Sequence, residues 1–186
     1  ILTGERDETV EDLGSATDHA TMRALEREAD GVLIGAGLLR ATPGLWYPAE
    51  TARFVGTRDP HLATTGKFFT ENAWIVSGEG YRHEAWPNVL TGPDWASLLE
   101  QMRQMGITRL LVEGGSELNA QLLKAGLVDE IFMTLAPKLK LGRDVPTLAD
   151  GEPFSRAEVQ TWTLVELHRL ESELFLRYRR NDHAKK

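Results

Sequence analysis

Apolar residues along this chain alternate between helical spacing and short uninterrupted runs, a pattern typical of α/β proteins. Residues 2–14 are polar and predict a loop. Ser15 is a suitable N-cap, and Met22, Leu25 and Ala29 follow at spacings of three and four, so we predict a helix over residues 15–29. The next apolar run, at residues 30–35, ends in glycine and predicts a strand buried on both faces.

The middle of the chain gives a weaker pattern than its second half. Proline, glycine and threonine are scattered through it, and apolar runs predict strands only near residues 52–55, 73–77 and 87–90. From residue 93 the periodicity is clear, because Asp94 is a suitable N-cap and Gly106 a suitable end for a helix. The apolar face of that helix consists of Trp95, Leu98, Leu99, Met102 and Met105.

The last third predicts a strand–helix–strand unit and then a hairpin. Residues 107–112 and 128–135 predict the two strands, and the helix between them is capped by Ser116 and ends at Gly126. Residues 159–168 and 173–179 predict an antiparallel hairpin. We therefore expect one domain over residues 1–186, a three-layer α/β/α sandwich whose mostly parallel mixed sheet ends in that hairpin.

Composition and charge exclude several classes of protein. The 186 residues carry a formal net charge of −7, which disfavours a nucleic-acid surface. No apolar stretch is long enough for a membrane span, and no signal peptide is visible. Cysteine is absent and the five histidines lack metal-ligand spacing, so we predict no metal site and expect a reducing, cytoplasmic location.

The strongest chemical feature is a tight turn of Glu113, Gly114 and Gly115 between a strand and a helix. A helix N-terminus presents unpaired N–H groups, and glycines allow close approach of a phosphate, so this turn is either a pyrophosphate cradle or a plain connection. A second glycine turn, Gly35-Ala36-Gly37, also follows a buried strand. Parallel strands would bring both turns to one sheet edge, where a dinucleotide could bind.

Residues 107–116, continued by Leu118-Asn119, Leu122-Leu123, residues 125–130 and Pro137, closely resemble the reductase domain of riboflavin biosynthesis, a member of the dihydrofolate-reductase-like superfamily. Residues 29–37, followed by Arg40-Ala41 and Pro43, resemble the second signature of that family. The resemblance implies a dihydrofolate-reductase-like fold, NADPH as hydride donor, a homodimer, and reduction of a small pyrimidine- or pterin-like substrate.

The same resemblance implies site residues position by position. The cofactor's phosphates would lie at Gly114, Gly115, Ser116, Glu117 and Leu118, and Gly37 and Leu38 would lie along the cofactor. Thr57 and Arg58 would meet the adenosine 2′-phosphate, since a guanidinium suits that group. Glu113 and Arg40 would contact substrate, and no residue is identified as the proton donor.

The departures from the family open three hypotheses. Leu38 replaces a threonine, and Glu26 replaces an arginine that helps hold a phosphoribosyl group; with Glu28, Glu26 otherwise predicts a solvated helix face. The family's first strand, with its Ser-Leu-Asp-Gly signature, would precede Ile1. We expect an NADPH-dependent reductase of a small heterocycle. The alternatives are a genuine riboflavin-pathway 5-amino-6-(5-phosphoribosylamino)uracil reductase that uses Arg23, Arg27 or Arg40 for the phosphate, and a non-catalytic nucleotide-binding module.

Overall fold

The computed structural model describes residues 14–42, 44–139 and 147–181. Its helices and strands alternate as the sequence predicts, and their bounds in chain order are α1 Ala16–Glu28, β1 Gly31–Gly35, α2 Ala36–Ala41, β2 Ala52–Gly56, β3 Ala73–Gly78, β4 Val89–Gly92, α3 Trp95–Gln104, β5 Leu110–Gly114, α4 Ser116–Lys124, β6 Glu130–Leu135, β7 Trp162–Leu170 and β8 Glu173–Arg180.

Strong local signals explain why most of these elements form where they were expected. The Ser15 hydroxyl accepts a hydrogen bond from the Asp18 backbone at 3.0 Å and begins α1. The Asp94 carboxylate does the same for Ser97 at 2.8 Å and begins α3. Gly126, with φ 66°, follows the end of α4, where a residue with a Cβ would be strained.

Five parallel strands form the main sheet, in the order β4-β3-β2-β1-β5. The remaining strands form a separate antiparallel sheet in the order β6-β8-β7, in which β7 and β8 are the expected hairpin. The α/β class, the parallel strands and the terminal hairpin are thus confirmed. The expected single mixed sheet is divided, because β5 and β6 are not hydrogen-bonded neighbours.

The core has two layers, one on each face of the main sheet. Val32, Ile34 and Val55 point to one face and pack against α2 and the segments that follow α2 and β2. Leu33 and Phe54 point to the other face and pack against α3 and α4. Consecutive strand residues therefore enter opposite layers, which is why β1 reads as a continuous apolar run.

Four details of the sequence prediction were wrong, each for a local reason. The turn at Gly35-Ala36-Gly37 is the start of α2, which is too short to give a periodic signal. Helix α4 is preceded by Gly115 as its N-cap, and Ser116 is its first residue. Met105 is a C-cap and 39% exposed, outside the apolar face of α3. Glu26 is buried on α1.

The start of β5 also differs, at Leu110 instead of residue 107. The Asp30 carboxylate accepts hydrogen bonds from the backbone N–H groups of Thr108 and Arg109, each at 2.8 Å. Those two groups are therefore unavailable for a strand ladder. The loop expected over residues 2–14 lies outside the described residues except for Gly14.

Candidate active site

Both glycine turns lie side by side at the carboxyl edge of the main sheet. Strand β5 pairs in parallel with β1, and Ile34 stands opposite Gly114. A Cβ built on Gly35 would lie 3.3 Å from the Gly115 nitrogen, so the two turns are in contact. Gly114 has φ 86°, and its peptide bond to Gly115 is cis. The close approach expected of the two turns is present.

The N-terminus of α4 is open toward this edge. Gly115, its N-cap, provides no side-chain hydrogen bond, and no atom lies within 4 Å of the position a Cβ would take there. A nine-residue helix whose start is unoccupied among the described residues suits a phosphate, because the helix dipole and the N–H groups of the first turn favour an anion. The residues present therefore fit the pyrophosphate of a dinucleotide.

Thr57 and Arg58 follow β2 and end at the same edge. The Thr57 backbone N–H donates to Val76 at 3.1 Å, which ties it to the neighbouring strand. The exposed Arg58 guanidinium lies 3.8 Å from the Glu117 carboxylate in the first turn of α4. The Arg58 guanidinium is thus placed beside the open N-terminus of α4, where it could bind a second phosphate of the same ligand.

The other sequence-predicted residues differ in how far their side chains are exposed. The side chains of Leu38 and Leu118 are buried in the two core layers, which leaves only their backbone atoms to face a ligand. Gly37 has open space around it, and Arg40 is exposed in the last turn of α2. The Ser116 carbonyl accepts a hydrogen bond from the Asp150 N–H at 3.0 Å, which ties a later loop to the first turn of α4.

Glu113 is a buried carboxyl group, and one of its two oxygens has no hydrogen-bond partner among the described residues. It is 8% exposed, and its Oε2 accepts a 2.6 Å hydrogen bond from the Tyr47 hydroxyl. Its Oε1 has no hydrogen-bond partner among the described residues. Burial raises the pKa of Glu113 to about 7, while the bond from Tyr47 lowers it and the nearby charge of Glu26 raises it. This carboxyl is ready to exchange a proton near neutral pH.

Helix α1 adds a second buried carboxylate and one cation to the same region. Glu26 is 5% exposed, and its Oε2 accepts a 2.6 Å hydrogen bond from the half-exposed Arg23. That hydrogen bond raises the pKa of Arg23, whose charge also acts on Glu113. Two carboxyl groups and one guanidinium do not make a site for a phosphate, since Arg23, the cation that acts on Glu113 among the described residues, is already paired with Glu26.

A cavity of about 420 Å³ runs from this region along β5. It is lined by the consecutive residues 110–113 of β5 and 127–132 around β6, and by Met22 and Leu25 of α1. Side chains alternate between the faces of a strand, so a cavity on one face would touch only every second residue. This cavity therefore lies beside the edge of β5, in the space that separates the two sheets.

Sequence reasoning did not find Tyr47, which binds Glu113, or Arg53, which binds the backbone carbonyl of Tyr47. Tyr47 is fully buried, and burial raises its pKa well above the usual range, so it remains a hydrogen-bond donor. Arg53 is 1% exposed in the middle of the sheet. The only sequence signal was an arginine inside the apolar strand at residues 52–55, which marks a charge that must be buried with partners.

Within the described residues, no group of three histidine, aspartate or glutamate side chains has a geometry that could hold a metal ion. No helix in the same part of the chain is long and apolar enough to span a membrane.

Residues 3–176 match the sequence profile of the RibD C-terminal domain. The chain belongs to the RibD C-terminal domain family. Its resemblance to the riboflavin reductases is therefore confirmed, and it extends over almost the whole chain.

Curated relatives of the RibD family match over parts of the chain. A 2,5-diamino-6-ribosylamino-4(3H)-pyrimidinone 5′-phosphate reductase of Methanothermobacter thermautotrophicus is 54% identical over 55 residues, which are 30% of this chain and 26% of that protein. The riboflavin biosynthesis protein RibD of Haemophilus influenzae is 34% identical over 145 residues, 69% of this chain and 37% of that protein. These relatives are thus matched over less than half of their own length.

Solved structures of the RibD family share the fold. RibD of Acinetobacter baumannii superimposes with a TM-score of 0.78 at 20% identity, over 97% of this chain and 55% of that one. A pyrimidine reductase-like protein of Corynebacterium diphtheriae gives 0.75 at 14% identity, over 91% and 83% of the two chains. At these identities the likeness establishes the architecture, which confirms the expected dihydrofolate-reductase-like fold.

Proposed function

We propose that this chain is a nicotinamide-dependent reductase of a small pyrimidine- or pterin-like heterocycle, with NADPH as the cofactor. The observation that carries the proposal is the contact between the glycine turns of β1 and β5 beside the open N-terminus of α4. The named reductases among its relatives support the reaction class. NADPH supplies a hydride when bound, and the chain's residues must hold both reactants and manage the accompanying proton.

The residues at the carboxyl edge divide this work between them. Gly114, Gly115 and the first turn of α4 hold the pyrophosphate, and Arg58 meets the 2′-phosphate that distinguishes NADPH from NADH. Glu113 contacts the substrate and exchanges the proton, because its pKa of about 7 keeps both of its forms populated near neutral pH. Its Oε1 is buried without a hydrogen-bond partner among the described residues, so a substrate donor that reached it would satisfy that oxygen.

The substrate that fits best carries no phosphate near α1. Glu26 stands where the resemblance implies an arginine, and it already pairs with Arg23. A phosphorylated substrate would place its anion against two buried carboxyl groups and one neutralised cation, which is unfavourable. The second candidate, the phosphoribosylamino-pyrimidine reductase itself, is favoured only by the names of the relatives.

The cofactor assignment is tested by titrating the protein with NADPH and NADH and following nicotinamide fluorescence. We expect Gly115→Ala to weaken binding of both nucleotides at least tenfold, because its methyl group fills the space at the start of α4. Arg58→Ala weakens NADPH binding several-fold and leaves NADH unchanged. Gly44→Ala and Arg169→Ala are matched controls, since Gly44 also has open space around it. Absence of saturable NADPH binding to the unmodified protein would refute the proposal.

The reaction and substrate class are tested by NADPH oxidation with paired substrates, each offered with and without its 5′-phosphate. We expect the unphosphorylated member to have the higher kcat/KM. Glu26→Arg should reverse that preference, since it restores a cation beside Arg23. A preference for the phosphorylated member by the unmodified protein would favour the riboflavin-pathway enzyme, whereas binding without oxidation of any member would favour a nucleotide-binding module.

The family resemblance implies a homodimer, and the absence of cysteine favours a reducing location. We propose a homodimer that functions in the cytoplasm. Apolar side chains of β6 and β7 are left exposed on the antiparallel sheet, which supports an interface on that sheet. They are Phe132, Leu135, Leu164, Val165, Leu167 and Leu170. Light scattering tests the dimer, and a monomer at micromolar concentration would refute it.

A further inference from the structure

Arg53 is a buried charge whose hydrogen bonds all go to neutral oxygens. One terminal nitrogen donates to the backbone carbonyls of Tyr47 at 2.8 Å and Pro48 at 2.7 Å. The other donates to the Phe68 carbonyl at 3.4 Å and to the Thr70 hydroxyl. Within the described residues, no carboxylate forms an ion pair with it, and Nε has no hydrogen-bond partner.

Such an arrangement is a poor way to stabilise a fold. A guanidinium in the middle of a sheet loses its hydration, and burial lowers the pKa of Arg53. An apolar side chain at this position would avoid that loss, as replacements of buried charges have shown in other proteins. The contacts made by Arg53 therefore point to a role in fixing the segment it holds.

That segment is the one that carries Tyr47. Two successive carbonyls, those of Tyr47 and Pro48, converge on one nitrogen of Arg53, which sets the backbone direction at this point. The Tyr47 ring packs edge-on against Phe68, with centroids 6.2 Å apart, and Arg53 also binds the Phe68 carbonyl. The tyrosine hydroxyl then has one described partner, Oε2 of Glu113.

We propose that Arg53 and Tyr47 are positioning residues for Glu113: Arg53 fixes the backbone at Tyr47, and the Tyr47 hydroxyl fixes the carboxyl group. Neither residue reacts. The Tyr47 hydroxyl holds Oε2 and thereby fixes the carboxyl group in a single orientation, while Oε1 is buried without a hydrogen-bond partner among the described residues. The proposal rests on the proposed function only in naming Glu113 as the carboxyl of the site.

Other charged groups act on Glu113 or line the cavity beside it, and they must be held constant in a test. Arg23 and Glu26 of α1 face it together with Tyr47. Arg103 of α3 and Asp129 and Glu130 at the start of β6 line the same cavity. Substitutions of Tyr47 and Arg53 leave all five of these groups in place, so changes in the pKa of Glu113 report on the positioning pair.

The test is a 13C NMR titration of the Glu113 carboxyl group in the full chain, which needs neither cofactor nor substrate. Tyr47→Phe removes a hydrogen bond that favours the ionised form, so we expect the pKa to rise by roughly one to two units. Arg53→Met should raise it in the same direction. The double variant should rise no further than Tyr47→Phe alone, because Arg53 acts through Tyr47.

Two further variants keep the test decisive if Arg53→Met fails to fold. Thr70→Val removes one partner of Arg53 without touching Tyr47, and we expect a smaller upward shift. Phe69→Leu disturbs the same aromatic cluster and should lower Tm without changing the pKa of Glu113. Additive shifts in the double variant, or an unchanged pKa in both Arg53→Met and Thr70→Val, would overturn the proposal. If the pKa shifts of Glu113 appear but the protein does not oxidise NADPH, the proposed function is refuted and the positioning role of Arg53 and Tyr47 stands.

Discussion

Glu113 should make the stability of the protein depend on pH in a direction opposite to that of most carboxyl groups. Its pKa is about 7 in the folded protein and 4.5 as an ordinary side chain, because burial disfavours the charged form. The folded state therefore binds this proton more tightly than the unfolded state. The contribution of Glu113 to stability is greatest below pH 4.5 and is lost as the pH rises through 7, where the buried carboxyl ionises.

The size of the effect follows from the shift. A difference of roughly 2.5 units, at about 1.4 kcal/mol per unit, gives about 3 kcal/mol in the free energy of unfolding. Typical domains unfold with about 5–15 kcal/mol, so this one group is a measurable share. Glu113→Gln does not titrate, and its amide oxygen still accepts the hydrogen bond from Tyr47.

The assay is urea unfolding of both proteins, followed by tryptophan fluorescence, at pH 4.5, 6, 7 and 8. We expect the stability of Glu113→Gln relative to the unmodified protein to rise by about 3 kcal/mol from pH 4.5 to pH 8. Contributions from groups that do not interact with Glu113 cancel in this difference. Glu79→Gln, at an exposed turn, is the matched control and should show no such trend. A difference that stays constant to within about 0.5 kcal/mol would refute the assignment of the raised pKa.

Three other predictions concern the fold. Phe54→Ala, in the fully buried core, should cost about 3–5 kcal/mol, whereas Trp46→Ala, which is 52% exposed, should cost under about 1 kcal/mol in the same urea assay. Asp30→Ala should lower Tm at pH 7 but not near pH 2, because hydrogen bonds from Thr108 and Arg109 lower the pKa of Asp30 and their stabilisation is lost as the acid protonates. Amide hydrogens of β5 and β6 should exchange faster than those of β2 and β3, since each has a hydrogen-bonded neighbour on one side only among the described strands; equal protection of the four strands would contradict the divided sheet.

The fold could be predicted wherever a single local signal decides the outcome. Ser15 and Asp94 begin their helices because their side chains satisfy nearby backbone N–H groups, whatever the rest of the chain does. The start of β5 could not be predicted, because Asp30, 78 residues earlier, binds the backbone that would otherwise extend the strand. Glu26 was misjudged for a similar reason, since its burial depends on what packs against α1.

Some residues of the candidate site could also be predicted from local sequence, and others could not. A glycine pair between an apolar strand and a helix fixes where backbone can approach a phosphate, and that information is local, so Gly114 and Gly115 were predictable from the sequence. Tyr47 could not be linked to Glu113 from the sequence, because 66 residues separate them. Only the pairing of β1 with β2 and β5 brings the Tyr47 hydroxyl within 2.6 Å of the Glu113 carboxyl.

The sequence by itself determined the order of helices and strands, the glycine turns and the family, because each depends on residues close together in the chain. Tertiary structure alone decided that Glu113 is buried beside Glu26 and Tyr47, and burial is what moves its pKa to about 7. It also decided that Arg53 holds Tyr47 and that the two sheets stand apart. Desolvation, charge proximity and strand pairing act through space, and local residue patterns do not encode those distances.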